Sequence, residues 1–410
     1  MKVAVVFFLL FVVFFSSNVS SASETRLVCP LADCPYQGVR EAVLDAKPGD
    51  TILVKEGVYP GGFVVKKSLT IKSDSLPGGE GGVVIEGGDF GIRIEASRVV
   101  VEGLTVRGAR GAGIEVFSNR NVLANNTFTA SQVGVLLDTA SGNILRGNAA
   151  VNNTGSGFSL VYSNFNVLES NRAEGNARGF VASKSSSNTL KDNIASGNRF
   201  GFKLLYAEGN YLTRDKALEN DVGFYLVNSE FNTLKENNAS LNLVGFHLQD
   251  SANNTISLNN LSLNTGIGIS LNNSRKNLIW ANTLDSNRGW GIALDNLSKN
   301  NTLQDNDFLR NRPWDTGENN TWELNHYQEF ECQETPRGIC ENPYNIPGNR
   351  STDPYPRTIT PPKYTPTVIP TPPPKPPKTR TIMLTLLLAA TLLWTTAIFL
   401  HEIRQKQNKK

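Results

Sequence analysis

The 410-residue sequence predicts an all-β chain, a right-handed single-stranded parallel β-helix of three-sided coils of about 22 residues. Three observations carry this. Asn-x-hydrophobic marks fall at Asn121, Asn143, Asn166, Asn188, Asn210, Asn232, Asn254, Asn277 and Asn301, at intervals of 22 to 24 residues. Inside each unit an Asn or Asp follows at the sixth position (Asn126 through Asp215 to Asn306), another Asn at the eleventh from Asn153 to Asn311, and a Gly precedes an apolar residue such as Phe180, Phe202 or Phe224. Each unit also divides into three short runs, for example Thr189-Leu190-Lys191, Ile194-Ala195-Ser196 and Gly201-Phe202-Lys203-Leu204, separated by Asn and Gly where the chain is expected to turn with φ > 0. A leucine-rich horseshoe of similar period needs an L-x-x-L-x-L spine, which is absent.

Stacking such coils puts like on like. Leu123, Leu145, Leu168, Leu190, Leu212, Leu234, Ile256, Ile279 and Leu303 form one interior file and the Phe column another. The Asn columns are expected to run as amide ladders from coil to coil, satisfying polar groups that the coil buries.

In chain order, residues 1–22 have a basic second residue, an apolar core and a small-residue end, and read as a secretory signal peptide. Residues 23–46 form an N-terminal cap: in the run from Gln37 to Ala46, Val39, Val43 and Ala46 share a helical face with Ala42 beside them, so a short helix covers the first coil. Residues 47–311 are the β-helix, opening with period-two runs rich in Val, Ile and Thr. About 12 coils at the usual strand spacing make a rod of roughly 60 Å. Residues 312–350 hold Trp314, Trp322, His326, Tyr327 and Phe330 near Cys332 and Cys340, and read as a C-terminal cap with a disulfide. His326 has Glu323 and Glu329 close in sequence, but a packed cap is the favoured reading over a metal site. A Pro- and Thr-rich stalk (351–380), a transmembrane helix (381–400) and a basic cytoplasmic tail (401–410) complete the chain.

Cysteines come as two close pairs, Cys29 with Cys34 and Cys332 with Cys340. In an exported chain two local disulfides are the favoured reading, and a four-Cys metal site, the rival, would require the two ends of the rod to meet. Net charge is +3 without a basic, aromatic-interleaved stripe, which argues against nucleic acid as a partner. Ten sequons beyond the signal, from Asn125 to Asn349, are compatible with surface glycosylation at turn positions.

Candidate function lies in the outward columns, where residues one period apart are neighbours. Lys203, Tyr225 and His247 follow one another in the first, Tyr206 and Asp250 lie in the next, and these five are the candidate ligand-binding patch. Tyr206 and Tyr225 would stack sugar rings, while Lys203, His247 and Asp250 hold hydroxyls or a carboxylate. The alternative is an ordinary solvated face on which Tyr is favoured by β propensity. A further column, Lys191, Asp192, Arg214, Lys235 and Glu236, alternates in sign and reads as surface ion pairing.

The opening VREAVLDAKPGDTILVKEGVYPGGFVVKKSLTIKSD, the N-x-L-x-x-N coils and the ending NRPWDTGENNTWELNHYQEF, with CENPYNIPG and DPYP, resemble NosD-type β-helix proteins of the pectate-lyase-like superfamily. The overall build is similar to archaeal cell-surface members. The resemblance implies the β-helix fold, a repeat shared with carbohydrate-binding proteins and sugar hydrolases, and copper delivery to a reductase. Where many such relatives carry an acidic turn able to hold calcium, this chain has Pro336-Arg337-Gly338-Ile339-Cys340-Glu341. Its methionines are Met1 and Met383, and its histidines His247, His326 and His401, a poor donor set for copper. The expectation is therefore a cell-surface, single-pass membrane protein with no cofactor, no catalytic residues and no metal, acting as a carbohydrate-binding or structural envelope module on cell-surface or extracellular polysaccharide. The alternatives are a lyase, hydrolase or epimerase on a lateral face, and an accessory factor for copper-enzyme maturation.

Overall fold

A computed structural model describes residues 23–32, 34–74, 82–348 and 351–358. The expected signal peptide, transmembrane helix and tail, and most of the stalk, lie outside the described residues. Three parallel sheets run the length of a solenoid. Sheet A has fourteen strands, from Thr25–Val28 to Thr321–Glu323, and sheet C has twelve, from Phe63–Val65 to Trp314–Asp315. Sheet B has nine, from Gly57–Pro60 to Asn238–Ser240, and single bridges through Asn260 lead on to three more, Thr283–Asp285, Asp307–Leu309 and His326–Tyr327. Every pairing between coils is in parallel register one period apart, for example Phe180↔Phe202 and Leu190↔Leu212.

The register explains the core. The Leu file from Leu123 to Leu303 is buried throughout. Phe158, Phe180, Phe202 and Phe224 stack face to face with centroids 4.9, 4.8 and 4.7 Å apart, and Phe246 closes the run edge-on at 4.6 Å. Each fully buried side chain of this size contributes about 1.5–3 kcal/mol. A third file on sheet B, Ala150, Ala173, Ala195, Ala217 and Ala239, sits opposite the Gly column. A Cβ on Gly201 would lie 2.6 Å from the Gly223 carbonyl oxygen and 3.2 Å from the Ala217 Cβ.

The glycines before the Phe column are thus set by close approach of coils, while others, Gly142, Gly147, Gly175, Gly197 and Gly209, take left-handed turns as expected. This left-handed position falls one residue before a ladder Asn, and other coils fill it with residues such as Asn125, Asp192, Arg214 or Glu236. Ladder Asn side chains are taken up by hydrogen bonding and their own φ stays negative, while the residue before them takes the left-handed turn.

The amide ladders form as expected. Asn188 Nδ2 donates to Asn210 Oδ1 at 3.0 Å and Asn210 Nδ2 to Asn232 Oδ1 at 3.0 Å, and each of these oxygens also accepts the preceding rung's backbone N–H. The second column repeats this from Asn126 to Asn325, and the third from Asn153 to Asn311. A fourth, Ser163, Ser185, Ser229, Ser251, Ser274 and Ser298, was not singled out in the sequence.

Both ends are closed. Helix α1 (Val39–Asp45) buries Val39, Ala42 and Val43, and Ala46 follows them inward. Arg26 beside it joins Asp50 at 2.9 Å, Asp45 and the Tyr36 hydroxyl. At the other end the solenoid runs past the expected boundary at 311, because Trp322 and Tyr327 occupy the interior positions of one more coil. The segment assigned to the stalk from 351 is also part of the cap as far as it is described. Asp353 is buried and its Oδ2 accepts from Asn325 N and Nδ2 at 2.9 and 3.0 Å, standing where the next ladder oxygen would be. Tyr327 and Tyr344 stack at 3.8 Å with Phe330 edge-on to Tyr344, while Trp314 lies apart, stacked on Trp290. Cys29–Cys34 and Cys332–Cys340 are disulfides, one at each end, which removes the four-Cys metal reading.

Candidate functional site

Sheet C turns one set of side chains into the core and the alternate set outward, which places Lys203, Tyr225 and His247 on neighbouring strands in direct register. The Tyr225 ring tilts against His247 at 5.0 Å and stacks on Phe200 at 5.3 Å with planes 16° apart. Lys203 Nζ lies 4.9 Å from the Phe200 centroid and 5.3 Å from that of Tyr225, within cation–π range of both. The Tyr225 hydroxyl donates to Gln249 Oε1, which fixes the ring.

Electrostatics follow from partial burial. Lys203 is lowered from the usual lysine range, first by burial and then by the charges of Arg178 and Arg199. Burial pushes Tyr225 up, with Asp250 adding to it, and lowers His247, so that imidazole is neutral at pH 7. Among the described residues no carboxylate pairs with Lys203, Arg178 or Arg199. The result is an aromatic platform carrying unneutralised positive charge, able to stack an apolar ring face and to donate to hydroxyls or an anion.

Tyr206 and Asp250 belong to the adjoining turn, both in left-handed conformation, two coils apart. Asp250 Oδ1 accepts from Asn273 Nδ2 at 2.7 Å, whereas Tyr206 follows Tyr162 and Lys184 along the edge. Three of the five candidate residues are thus brought into one cluster and two border it. Sequence reading missed Phe200, Arg178 and Gln249. Phe200 and Arg178 precede the Gly of their units; alternation from the inward Phe202 would turn this position inward, but Gly201 and Phe202 both face the interior, so the residue before them projects outward and periodicity alone does not reveal it.

The alternating charges form ion pairs: Lys191 with Glu169 at 2.7 Å, Arg214 with Asp192 at 2.8 Å and Lys235 with Glu236 at 3.1 Å. His326 meets neither Glu323 nor Glu329; its Nδ1 lies 2.5 Å from Asp307 Oδ1, and Glu329 pairs with Arg312. The donor set does not fit copper: all four cysteines are oxidised in disulfides, His326 is held by Asp307, and His247 lies in an aromatic stack.

Known proteins share the fold. The profile described as periplasmic copper-binding protein (NosD) matches residues 181–350, and that described as right handed beta helix region matches residues 80–217. No curated protein sequence matches the chain. Among solved structures, a mannuronic acid specific polysaccharide family 6 lyase from human gut microbiota is similar with a TM-score of 0.53 at 13% identity, over 70% of this chain and 83% of that one. The A-module of an Azotobacter vinelandii mannuronan C-5 epimerase gives 0.48 at 15% identity over 78% and 90%. A pectate lyase gives 0.44 at 18% over 74% and 77%. At such identities the likeness is one of fold. The chain has the right-handed parallel β-helix fold, and its residues 181–350 match the NosD profile.

Proposed function

We propose that this protein is an extracellular, membrane-anchored module that binds polysaccharide along the outer face of sheet C, through Lys203, Tyr225 and His247 with Tyr206 and Asp250 at the border. The observation that carries the reading is the Phe200–Tyr225–His247 platform with Lys203 over two of its rings. Such a platform contributes little to the core, since it lies outside the coil. It offers ring faces and hydrogen-bond donors together, which is what a sugar presents a need for. Binding is favoured over catalysis because Asp250 is engaged with Asn273, so the acid of the patch is not set against Lys203 or His247 for proton transfer. The disulfides support an exported location, and the apolar segment 381–400 would supply the anchor.

A glycan array probed with the full-length protein and with its Tyr225→Ala and Lys203→Ala variants tests this. Binding to a defined glycan that both variants lose supports the reading. No binding to any glycan, or binding that both variants retain, refutes it and leaves a structural role in the envelope.

A further inference from the structure

The edge along which sheet C turns into sheet A carries a separate constellation. Arg98 and Arg120 occupy the same left-handed turn position in adjacent coils, at φ 63° and 60°, with Arg98 N donating to Asn119 O at 3.3 Å and Arg120 N to Ser141 O at 3.2 Å. Both side chains are exposed, and no carboxylate pairs with either among the described residues. Two like charges one coil apart repel, so the fold gains nothing from them. Later coils fill this position with Gly142, Gly209, Asn253, Asn300 and Asn319, which suit left-handed backbone better than Arg, but also with Phe165, Ser187, Phe231 and Lys276, so the column fixes no residue type.

The two arginines wall a groove of about 590 Å³ floored by Ser68, Ser97, Asn119 and Ser141 and ended by Phe165. That volume lies within the range of about 300–1,000 Å³ usual for ligand sites. Ser97 Oγ accepts from Asn119 N and Asn119 Oδ1 from Ser141 N, which fixes the floor and leaves the Ser97 hydroxyl proton and the Asn119 amide protons to donate outward. In the same coil as Phe165 the edge presents Tyr162, and the next two coils present Lys184, whose Nζ donates to the Tyr162 hydroxyl at 2.9 Å, and Tyr206. Tyr162, Phe165 and Tyr206 are 51%, 68% and 55% exposed, more than packing would leave aromatic rings. From Arg98 to Tyr206 the edge spans five coil steps, about 24 Å. Potential glycosylation divides the edge: its C-terminal half carries the sequons at Asn253, Asn272, Asn296, Asn300 and Asn319, and residues 153–237 carry none.

We propose that this edge, from Arg98 to Tyr206, binds a linear polysaccharide bearing carboxylate or sulfate groups, laid parallel to the solenoid axis. Arg98 and Arg120 pair with its anionic groups in the groove, where a guanidinium fork meets two oxygens at once. Phe165, Tyr162 and Tyr206 support the rings that follow, with Lys184 between them. The site shares Tyr206 with the border of the sheet C patch but rests on the arginines, and it does not require that sheet C bind sugar.

Affinity electrophoresis of the full-length protein through gels containing polygalacturonate, dextran sulfate or uncharged dextran tests the proposal. The expected result is retardation by at least one anionic polymer, weakened by salt, with none by dextran. The Arg98→Asn/Arg120→Asn double variant should bind about tenfold more weakly or worse, while Lys216→Ala, which removes an exposed lysine on the outer face of sheet B, retains parental retardation. Asparagine is native to this column and neither change creates a sequon, so the turn is kept; an unchanged far-ultraviolet circular dichroism spectrum checks this. Which polymer retards the protein distinguishes carboxylate from sulfate. Equal retardation of the double variant and the parent, equal retardation by dextran, or no retardation by any polymer would overturn the proposal.

Discussion

Asp215 interrupts a ladder of asparagines, and its replacement by Asn should stabilise the protein in a pH-dependent way. Its Oδ1 accepts from Asn193 N at 2.7 Å and Nδ2 at 2.9 Å, but its Oδ2 is buried without a partner. In neighbouring rungs this corner is an amide nitrogen: Asn193 Nδ2 donates to Leu168 O at 2.9 Å and Asn237 Nδ2 to Leu212 O at 3.1 Å. Burial therefore pushes the Asp215 carboxyl up from 3.8 to about 7, despite the hydrogen bonds from Asn193. The folded state keeps a proton that the unfolded chain releases, so stability is greatest below pH 3.8, falls as pH rises toward 7 and is level above it. Three pH units at about 1.4 kcal/mol each give a penalty of about 4 kcal/mol at pH 8. Asp215→Asn removes that penalty and restores the missing donor. Guanidinium unfolding of parent and variant, followed by circular dichroism, should show the variant more stable by several kcal/mol at pH 8 and nearly equal at pH 3.5. A variant no more stable than the parent at pH 8, or a difference that does not change with pH, would refute the reasoning.

Three other perturbations follow from the stacked core. Phe202→Ala, in the middle of the ring stack, should cost about 3–5 kcal/mol by the same unfolding measurement. Gly201→Ala drives a methyl to 2.6 Å from the Gly223 carbonyl and should cost about 1–3 kcal/mol, whereas Ser196→Ala on the outer face of a neighbouring strand should be close to neutral. Asp353→Ala leaves Asn325 N and Nδ2 and the Tyr327 hydroxyl without their acceptor and should cost about 3 kcal/mol or more, read as faster proteolysis at the C-terminal end; Asp353→Asn, which keeps one oxygen, should lose less.

How much was legible depends on whether a residue answers to its own coil or to another. The Leu and Phe files and the Asn ladders are periodic, and a residue buried between identical neighbours has only one place to go, so spacing alone located them. The cap of the ladder was not legible, because Asp353 reaches Asn325 from 28 positions away and outside the period. The end of the solenoid was misplaced for a related reason: the period shortens to 19 residues between Asn306 and Asn325, and the pattern stops matching although the coil continues. At the candidate site, register put Lys203, Tyr225 and His247 together from sequence, but Phe200 joins them from a strand position that carries no repeat signature. Arg98 escaped notice because no Asn mark follows it, and Arg120 because it stands just before the first mark, Asn121, in a turn column whose residues vary from coil to coil.

The ladders also have a direction, and it accounts for the unequal chemistry of the two ends. Each rung donates its backbone N–H, and nearly every Asn rung also its Nδ2, to the oxygen of the next coil, so unsatisfied donors accumulate at the C-terminal end. An acceptor with spare lone pairs closes such an end best, and carboxylates occupy it: Asp353 takes the second column, while Asp315 Oδ1 accepts Asn320 Nδ2 at 3.1 Å and its Oδ2 the Trp322 indole at 2.9 Å. The first coils have no Asn ladder, and their buried carboxylate, Asp50, is instead held to about 2 by the backbone N–H groups of Glu24 and Lys47 together with Arg26. With interior and ends fixed in this way, each coil contacts chiefly its two neighbours and the outward columns are left with little part in stability. Substitutions there can alter what the rod binds without altering the rod, which is why binding at the arginine edge and on sheet C can be separated by the variants named above.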